Sequence, residues 1–153
     1  MKPTPAAGKG VLLAFILVVG LSALHVQAQQ PEKNSLYQRL GGYDAVAAVV
    51  DDFIGRLIAD KTFARFFGGF STDSKNRLRQ LFVDQFCAET GGPCIYIGRS
   101  MKVSHTGLGI TENEWQASAK HLTASLDRYK VPAKEKDEVI AFVNTTKKDI
   151  VEK

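Results

Sequence analysis

YIGRSMKVSHTGLGI, residues 96–110, is the stretch on which the interpretation of this chain turns. Three glycines interrupt it, so it is predicted to hold one short helix between turns. Met101, His105 and Leu108 are spaced i, i+4 and i+7, which sets the histidine among apolar neighbours. A histidine in such a place is by default a hydrogen-bonded core residue. It becomes a metal ligand where a metal-bearing group is held in an apolar pocket beside it.

Amphipathic helices are predicted on both sides of this stretch. Each has apolar residues at helical spacing along one face. The predicted faces are Val46, Val49, Val50, Phe53, Ile54 and Leu57; then Leu78, Leu81, Phe82, Gln85 and Phe86; then Trp115, Ala119, Leu122, Leu126 and Tyr129; and finally Val139, Val143, Thr146 and Ile150. Thr111-x-x-Glu114 is a capping box that opens the third of these helices. No alternating strand pattern of useful length is present, so the fold class is predicted to be all-α.

Aromatic residues suggest where a pocket lies. Phe63, Phe66 and Phe67 follow the first long helix in a turn region. They form either a core plug under a loop or the wall of a flat cofactor pocket. Together with the Phe82 and Phe86 stripe they would line a slot for haem, and a neutral imidazole on such a wall is what five-coordinate haem iron requires. Arg99 and Lys102 are then placed to hold the two propionates.

The N-terminal residues have the layout of a secretory signal peptide. Lys2 and Lys9 precede an uncharged apolar run from Val11 to Leu24, which is shorter than the roughly 20 residues of a membrane-spanning helix. Small residues then favour cleavage after Ala28. We therefore expect a signal peptide over 1–28, a polar spacer over 29–34, a folded domain over 35–153 and a periplasmic location. The alternative is an uncleaved anchor, the one case in which a membrane would be a partner.

The two cysteines, Cys87 and Cys94, flank a Gly-Gly-Pro turn signal. In an oxidising compartment they are a candidate disulfide, whose short loop would contribute about 2.5 kcal/mol. The alternative is one buried thiol and one exposed thiol. Their spacing is not a zinc pattern, and the absence of a Cys-x-x-Cys-His motif excludes c-type haem attachment.

Composition and charge exclude several function classes. The chain has 153 residues, 44% of them hydrophobic and 24% charged, as expected for one globular domain. Its net charge of +4 is spread among 16 acidic residues without a basic block, so no nucleic-acid partner is expected. No nucleophile elbow and no phosphate-binding glycine loop is present.

Several motifs occur in an order that resembles the group 1 truncated haemoglobins. They are Leu36-Tyr37-x-x-Leu40-Gly41-Gly42, the pairs Asp52-Phe53 and Phe66-Phe67, the turn Gly91-Gly92-Pro93, and the run from Tyr96 to Ile110. The resemblance covers about residues 35–150. It implies a two-over-two helical sandwich around one b-type haem per chain.

The resemblance also implies roles for individual residues. His105 falls on the proximal iron ligand, Phe67 on the phenylalanine that stacks on the haem face, and Phe86 on a position that gates an apolar gas tunnel in some members. Tyr96, Arg99, Met101 and Lys102 fall in the stretch that lines the haem edge and propionates. Leu78, Phe82 and Trp115 complete the expected cofactor contacts.

The distal side departs from the family pattern. Ile54 occupies the place of the usual distal tyrosine, next to Phe53, and Leu78, Leu81 and Phe82 replace polar residues on the following helix. A hydrogen bond to dioxygen is worth roughly 1–3 kcal/mol, so its loss would speed release about 5- to 150-fold. Gln85 is the one candidate donor, or else a polar residue satisfied by a neighbouring helix.

These features favour reversible binding of a diatomic gas (O2, CO or NO) over enzyme activity. An apolar distal side offers no acid or base to break an O–O bond, which argues against peroxidase chemistry. Nitric-oxide dioxygenation needs an electron donor, and the chain carries no flavin or nicotinamide motif. Two further functions stay open: a periplasmic haem electron relay with a redox partner, and a cofactor-free helical interaction domain.

Overall fold

The computed structural model describes residues 33–153, so the expected signal peptide over 1–28 and most of the spacer lie outside the described residues. Within that range the chain is helical and has no strand, which confirms the predicted all-α class. The helices are α1 (Leu36–Arg39), α2 (Gly42–Ala59), a 3-10 turn (Lys61–Phe63), α3 (Ala64–Phe67), α4 (Thr72–Glu89), α5 (Met101–His105), α6 (Glu112–Arg128) and α7 (Ala133–Ile150).

The helix N-termini are set by local capping residues. The Ser35 side chain accepts a hydrogen bond from the Gln38 amide, and Ser71 does the same for Ser74. At α6 the Thr111 side chain accepts from the Glu114 amide while the Glu114 carboxylate accepts from the Thr111 amide, so the predicted capping box is confirmed. Each cap satisfies a backbone N–H that lacks a partner inside the helix.

The long helices form two layers around a shared apolar core. In one layer α2 packs against α4, and α2 also crosses onto α6, which packs against α7 in the other layer. The most deeply buried side chains come from all four helices: Val50, Val83, Leu122, Leu126 and Val139. Burying each one contributes about 1.5–3 kcal/mol.

The stripe predicted on α2 is buried along its whole length. On α4 the predicted stripe is only partly buried, and the buried residues are Val83 and Cys87, which were not part of it. Tyr129, predicted on the α6 stripe, lies beyond the helix and is exposed.

The structure corrects two local expectations. The Phe63–Phe67 region forms a 3-10 turn followed by α3, where the sequence suggested an irregular turn. Helix α5 ends at His105, so Leu108 lies beyond it and does not share a helical face with Met101. The helix stops there because Thr106 has ψ 127° and Gly107 a positive φ of 85°. No helix within residues 33–153 is long and apolar enough to cross a membrane.

Candidate functional site

A cavity of about 510 Å³ lies between the two layers and is closed at one side by α3 and α5. Its wall is mostly apolar and aromatic. All but one of the side chains expected at the pocket line it: Phe53, Ile54, Phe67, Leu78, Leu81, Phe82, Gln85, Phe86, Tyr96, Arg99, Met101, His105 and Trp115. The exception is Lys102, which is exposed and does not belong to the cavity wall. Residues from five separate helices and one loop are thus brought to one chamber.

His105 lies at the end of α5 and is half-buried on the cavity wall. Its Nδ1 atom is 2.7 Å from the backbone carbonyl oxygen of Met101. A carbonyl oxygen only accepts hydrogen bonds, so Nδ1 carries the proton and the lone pair of the neutral ring resides on Nε2. This is the arrangement in which a second partner orients a histidine that ligates a metal through its other nitrogen.

The wall formed by α2 and α4 is apolar. Phe53 and Ile54 are buried, and the rings of Phe53 and Phe82 lie 6.1 Å apart at 56°. Leu81 and the half-buried Gln85 complete this wall. Gln85 is the one amide-bearing side chain among the cavity-lining residues.

The loop before α5 is shaped by Tyr96. Its hydroxyl donates a hydrogen bond to the carbonyl oxygen of Arg99 at 2.8 Å, and burial raises the pKa of this phenol. The ring lies against Gly98, where an added Cβ would come within 2.2 Å of the Tyr96 oxygen. Gly98 therefore permits the tight loop that brings both Tyr96 and Arg99 to the cavity.

The bacterial-like globin family model matches residues 35–152 of this chain. The chain belongs to this family. It is 36% identical over 115 residues to a group 1 truncated hemoglobin of Mycolicibacterium paratuberculosis, spanning 75% of this chain and 82% of that one. The globin is also 27% identical over 120 residues to a group 1 truncated hemoglobin of Tetrahymena pyriformis, across 78% of this chain and 97% of that one.

Solved structures confirm the two-over-two architecture. The Fe(III) form of truncated hemoglobin from Tetrahymena pyriformis matches with a TM-score of 0.71 at 28% identity, covering 78% of this chain and 99% of that chain. The 2/2 hemoglobin of a Synechococcus species, in its cyanomet state with covalently attached heme, matches with a TM-score of 0.70 at 30% identity and the same two coverages. The predicted membership of the group 1 truncated haemoglobins is confirmed.

Proteins of this family bind haem, usually haem b, and the cavity of this globin suits that group. The wall supplies the apolar and aromatic surface that a flat macrocycle needs, and His105 supplies a nitrogen donor with its lone pair on Nε2. Arg99 is a cation on the same wall, suited to a carboxylate. The exposed Lys102 has no place on that wall.

A second cavity of about 120 Å³ shares Phe86 with the first. It is lined by Leu40, Val46, Val49, Leu126 and other, mostly apolar, residues. The Phe86 ring also packs edge-on against Phe142 at 5.8 Å. Phe86 thus stands between the two cavities, at the position that the family resemblance associated with a gas tunnel.

Sequence reasoning missed part of the cavity wall. Val143, Thr146 and Ile150 of α7 were recognised as a stripe, but nothing in the spacing assigned that stripe to the pocket rather than to the core. Phe70 and Phe142 also line the cavity. Phe70 lies in the loop after α3 and Phe142 on α7, and their approach to the cavity depends on the packing of the helices, which a periodic pattern does not encode.

The two cysteines come together at the end of α4. Their Cα atoms are 5.7 Å apart, within the range that a disulfide spans. Cys87 is fully buried beside Tyr37, and Cys94 packs against the same core cluster. The Gly-Gly-Pro segment does turn the chain back as its composition indicated.

Proposed function

We propose that this globin binds haem b with His105 as the proximal ligand and reversibly binds a diatomic gas, O2, CO or NO, as a carrier or sensor. The observation that carries the proposal is the His105 geometry. Its Nδ1 proton is committed to the Met101 carbonyl at 2.7 Å, and the ring lines the cavity, which leaves Nε2 as the nitrogen that would ligate iron. Haem, when bound, supplies a ferrous iron at which such gases bind reversibly.

The residues of the opposite wall support gas binding over peroxidase-type catalysis. Phe53, Ile54, Leu81 and Phe82 are apolar and carry no acid or base that would move a proton. Gln85 is the side chain on this wall that would donate a hydrogen bond to a polar ligand such as dioxygen. With so little polar assistance, CO and NO are expected to be held better, relative to dioxygen, than in a globin with a distal tyrosine.

The test is the visible spectrum of the reduced, carbon-monoxide-bound protein. Wild type should show a sharp Soret band, which His105→Ala should weaken or shift. His121→Ala is the matched control, because His121 is also half-buried but bonds Asp60 at 2.8 Å instead of lining the cavity. A wild-type protein without a Soret band after haem reconstitution, or equal effects of both substitutions, would overturn the proposal.

We further propose that the chain is exported to the periplasm after cleavage at Ala28 and that Cys87 and Cys94 form a disulfide there. The apolar leader and the Cα–Cα distance of 5.7 Å between the two cysteines support this. Mass spectrometry of the protein isolated from cell fractions tests both parts. A periplasmic species beginning at Gln29, lighter by two hydrogens than its reduced form, is expected, and a cytosolic full-length dithiol would contradict it.

A further inference from the structure

We propose that Arg65 and Glu152 are positioning residues that fix the orientation of His105 through the turn that follows it, residues 106–110. The inference rests on the proposed function, because the orientation of His105 matters only if it ligates iron. Neither residue belongs to the apolar stripes or motifs on which the fold and the pocket were predicted.

Helix α5 is too short to hold His105 in place alone. It has five residues, and isolated helices much longer than this are marginal in water. The chain leaves it through Gly107 and Gly109, which have φ values of 85° and 61° in the left-handed region that favours glycine. Helix α5 packs against α7, and the turn that follows His105 is the second element that fixes the direction of its side chain.

Glu152 binds the amide groups of the turn. Its Oε1 accepts a hydrogen bond from the Gly107 N–H at 2.7 Å, and its Oε2 accepts from the Gly109 N–H at 2.5 Å. These two backbone hydrogen bonds hold the pKa of the Glu152 carboxyl below its usual range. The backbone amide of Glu152 also donates to the Ile110 carbonyl at 2.8 Å, so the C-terminal tail pairs directly with the turn.

Arg65 binds the carbonyl groups of the same turn from the other side. Its Nη1 donates to the Leu108 oxygen at 2.6 Å and its Nη2 to the Gly109 oxygen at 3.2 Å. The guanidinium is itself held by the Glu114 carboxylate, with Nη2 to Oε1 at 2.8 Å, and lies 3.9 Å above the Phe66 ring. Burial opposes ionisation of Glu114, but the hydrogen bonds from Thr111 and Arg65 outweigh it, so its pKa is lowered.

The turn after His105 thus donates hydrogen bonds from its N–H groups to the Glu152 carboxylate, and its C=O groups accept hydrogen bonds from the Arg65 guanidinium. Both are charge-assisted hydrogen bonds, which are stronger than neutral ones. The two side chains come from α3 and from the end of the chain, far from α5 in sequence. Arg65 also lies two residues before Phe67, so the same helix that contributes the Phe67 wall of the cavity restrains the histidine.

The test compares Glu152→Ala and Glu152→Gln with Glu89→Ala, a control at another exposed glutamate. Two readouts are used: the iron–histidine stretching band in resonance Raman spectra of the ferrous protein, and amide hydrogen exchange at Gly107 and Gly109 in the carbon-monoxide form. Glu152→Ala should shift or broaden the band and speed both exchange rates about tenfold. Glu152→Gln, which keeps one acceptor oxygen, should lie between Glu152→Ala and wild type, and the control should match wild type.

Arg65→Lys keeps the positive charge but loses the fork that bonds two carbonyls at once, so it should also shift the band. Arg77→Lys on the exposed face of α4 is its control. If Arg65→Lys fails to fold, the Glu152 variants decide, because the Glu152 side chain is exposed.

The outcomes separate this inference from the proposed function. A wild-type protein without a Soret band overturns both. A wild type that binds haem, with Glu152→Ala leaving the band and both exchange rates unchanged, overturns the positioning role alone. An equal change in the Glu89→Ala control does the same.

Discussion

The α2–α4 wall of the cavity and the α5 side of the cavity are held by different forces. On the first side, long helices bury apolar stripes against each other, and Val50 and Val83 are almost inaccessible to solvent. On the second side, a five-residue helix packs against α7, and the glycine turn that follows it is held by charged side chains from α3 and the C-terminal tail.

The α2–α4 wall is therefore the rigid side of the cavity, and the α5 side is the adjustable one. A packed apolar wall resists change because every displaced methylene leaves a gap or a clash. A histidine held through hydrogen bonds at a chain turn is moved by altering one or two polar contacts. Substitutions on the two sides should therefore have different effects. Those on the α2–α4 wall should change stability and gas release, and those on the α5 side should change the orientation of His105.

The largest expected effect is on the packed wall. Phe53→Ala should lower the free energy of unfolding by about 3–5 kcal/mol, because Phe53 is buried against Phe82 and its loss enlarges the cavity. Chemical denaturation of the apo-protein measures this. Ile97→Ala, at a side chain that is 83% exposed, is the control and should change stability by less than about 0.5 kcal/mol. Equal effects would mean that the α2–α4 wall is not packed as described.

The next largest effect is expected at the two cysteines, where Cys87 on α4 lies beside Cys94 on the loop that leads to Tyr96. Cys94→Ala should lower the free energy of unfolding by about 2.5 kcal/mol, the value of the chain-entropy model for a short loop. Thermal denaturation with and without a reductant checks this. The reductant should destabilise wild type and leave Cys94→Ala unaffected, and a wild type indifferent to it would contradict a disulfide.

A hydroxyl added to the apolar wall should change gas release beyond any effect of the altered packing. Ile54→Tyr should slow dioxygen release by roughly 5- to 150-fold, the range that a hydrogen bond of 1–3 kcal/mol corresponds to. Ile54→Phe carries the same ring without the hydroxyl and is the matched control. Flash photolysis or stopped-flow release kinetics measure both variants. If the two variants release dioxygen at the same rate, the added hydroxyl does not reach the ligand.

The smallest effect lies outside the cavity, where His121 hydrogen-bonds Asp60. That bond, with a further one from the Thr62 amide, lowers the pKa of Asp60 from 3.8 to about 2. A carboxyl whose pKa is lowered by folding stabilises the folded protein at pH values above the pKa that the carboxyl has in the unfolded state. That contribution is lost as the pH falls from 3.8 toward about 2.

Asp60→Asn, which keeps an acceptor for the Thr62 amide, isolates the charge of Asp60. Melting temperatures of wild type and Asp60→Asn should differ above the unfolded pKa of 3.8 and converge as the pH falls to about 2. A difference that stays constant across this window would show that ionised Asp60 contributes nothing to stability.

Much of the fold was predictable because its determinants are local. Ser35, Ser71 and the Thr111–Glu114 box begin helices through bonds within a few residues. The apolar stripes repeat at the helical period, so they reveal the buried faces without any knowledge of topology. His105 and the aromatic wall followed from the same patterns and from the family resemblance.

The sequence by itself determined the long helices, the buried face of α2 and the histidine on the cavity wall, but not that Val83 and Cys87 are the buried residues of α4. Only the tertiary structure decided that Lys102 lies outside the cavity wall and that the α7 stripe is part of it. It also decided that Arg65 and Glu152 hydrogen-bond the turn after His105. The physical reason is the range of the interactions. A helix cap is formed by residues three positions apart, and an amphipathic stripe repeats every three or four residues, so both can be recognised in the sequence. An arginine and a carbonyl 43 residues apart meet only because the layers have packed and brought them within hydrogen-bond distance.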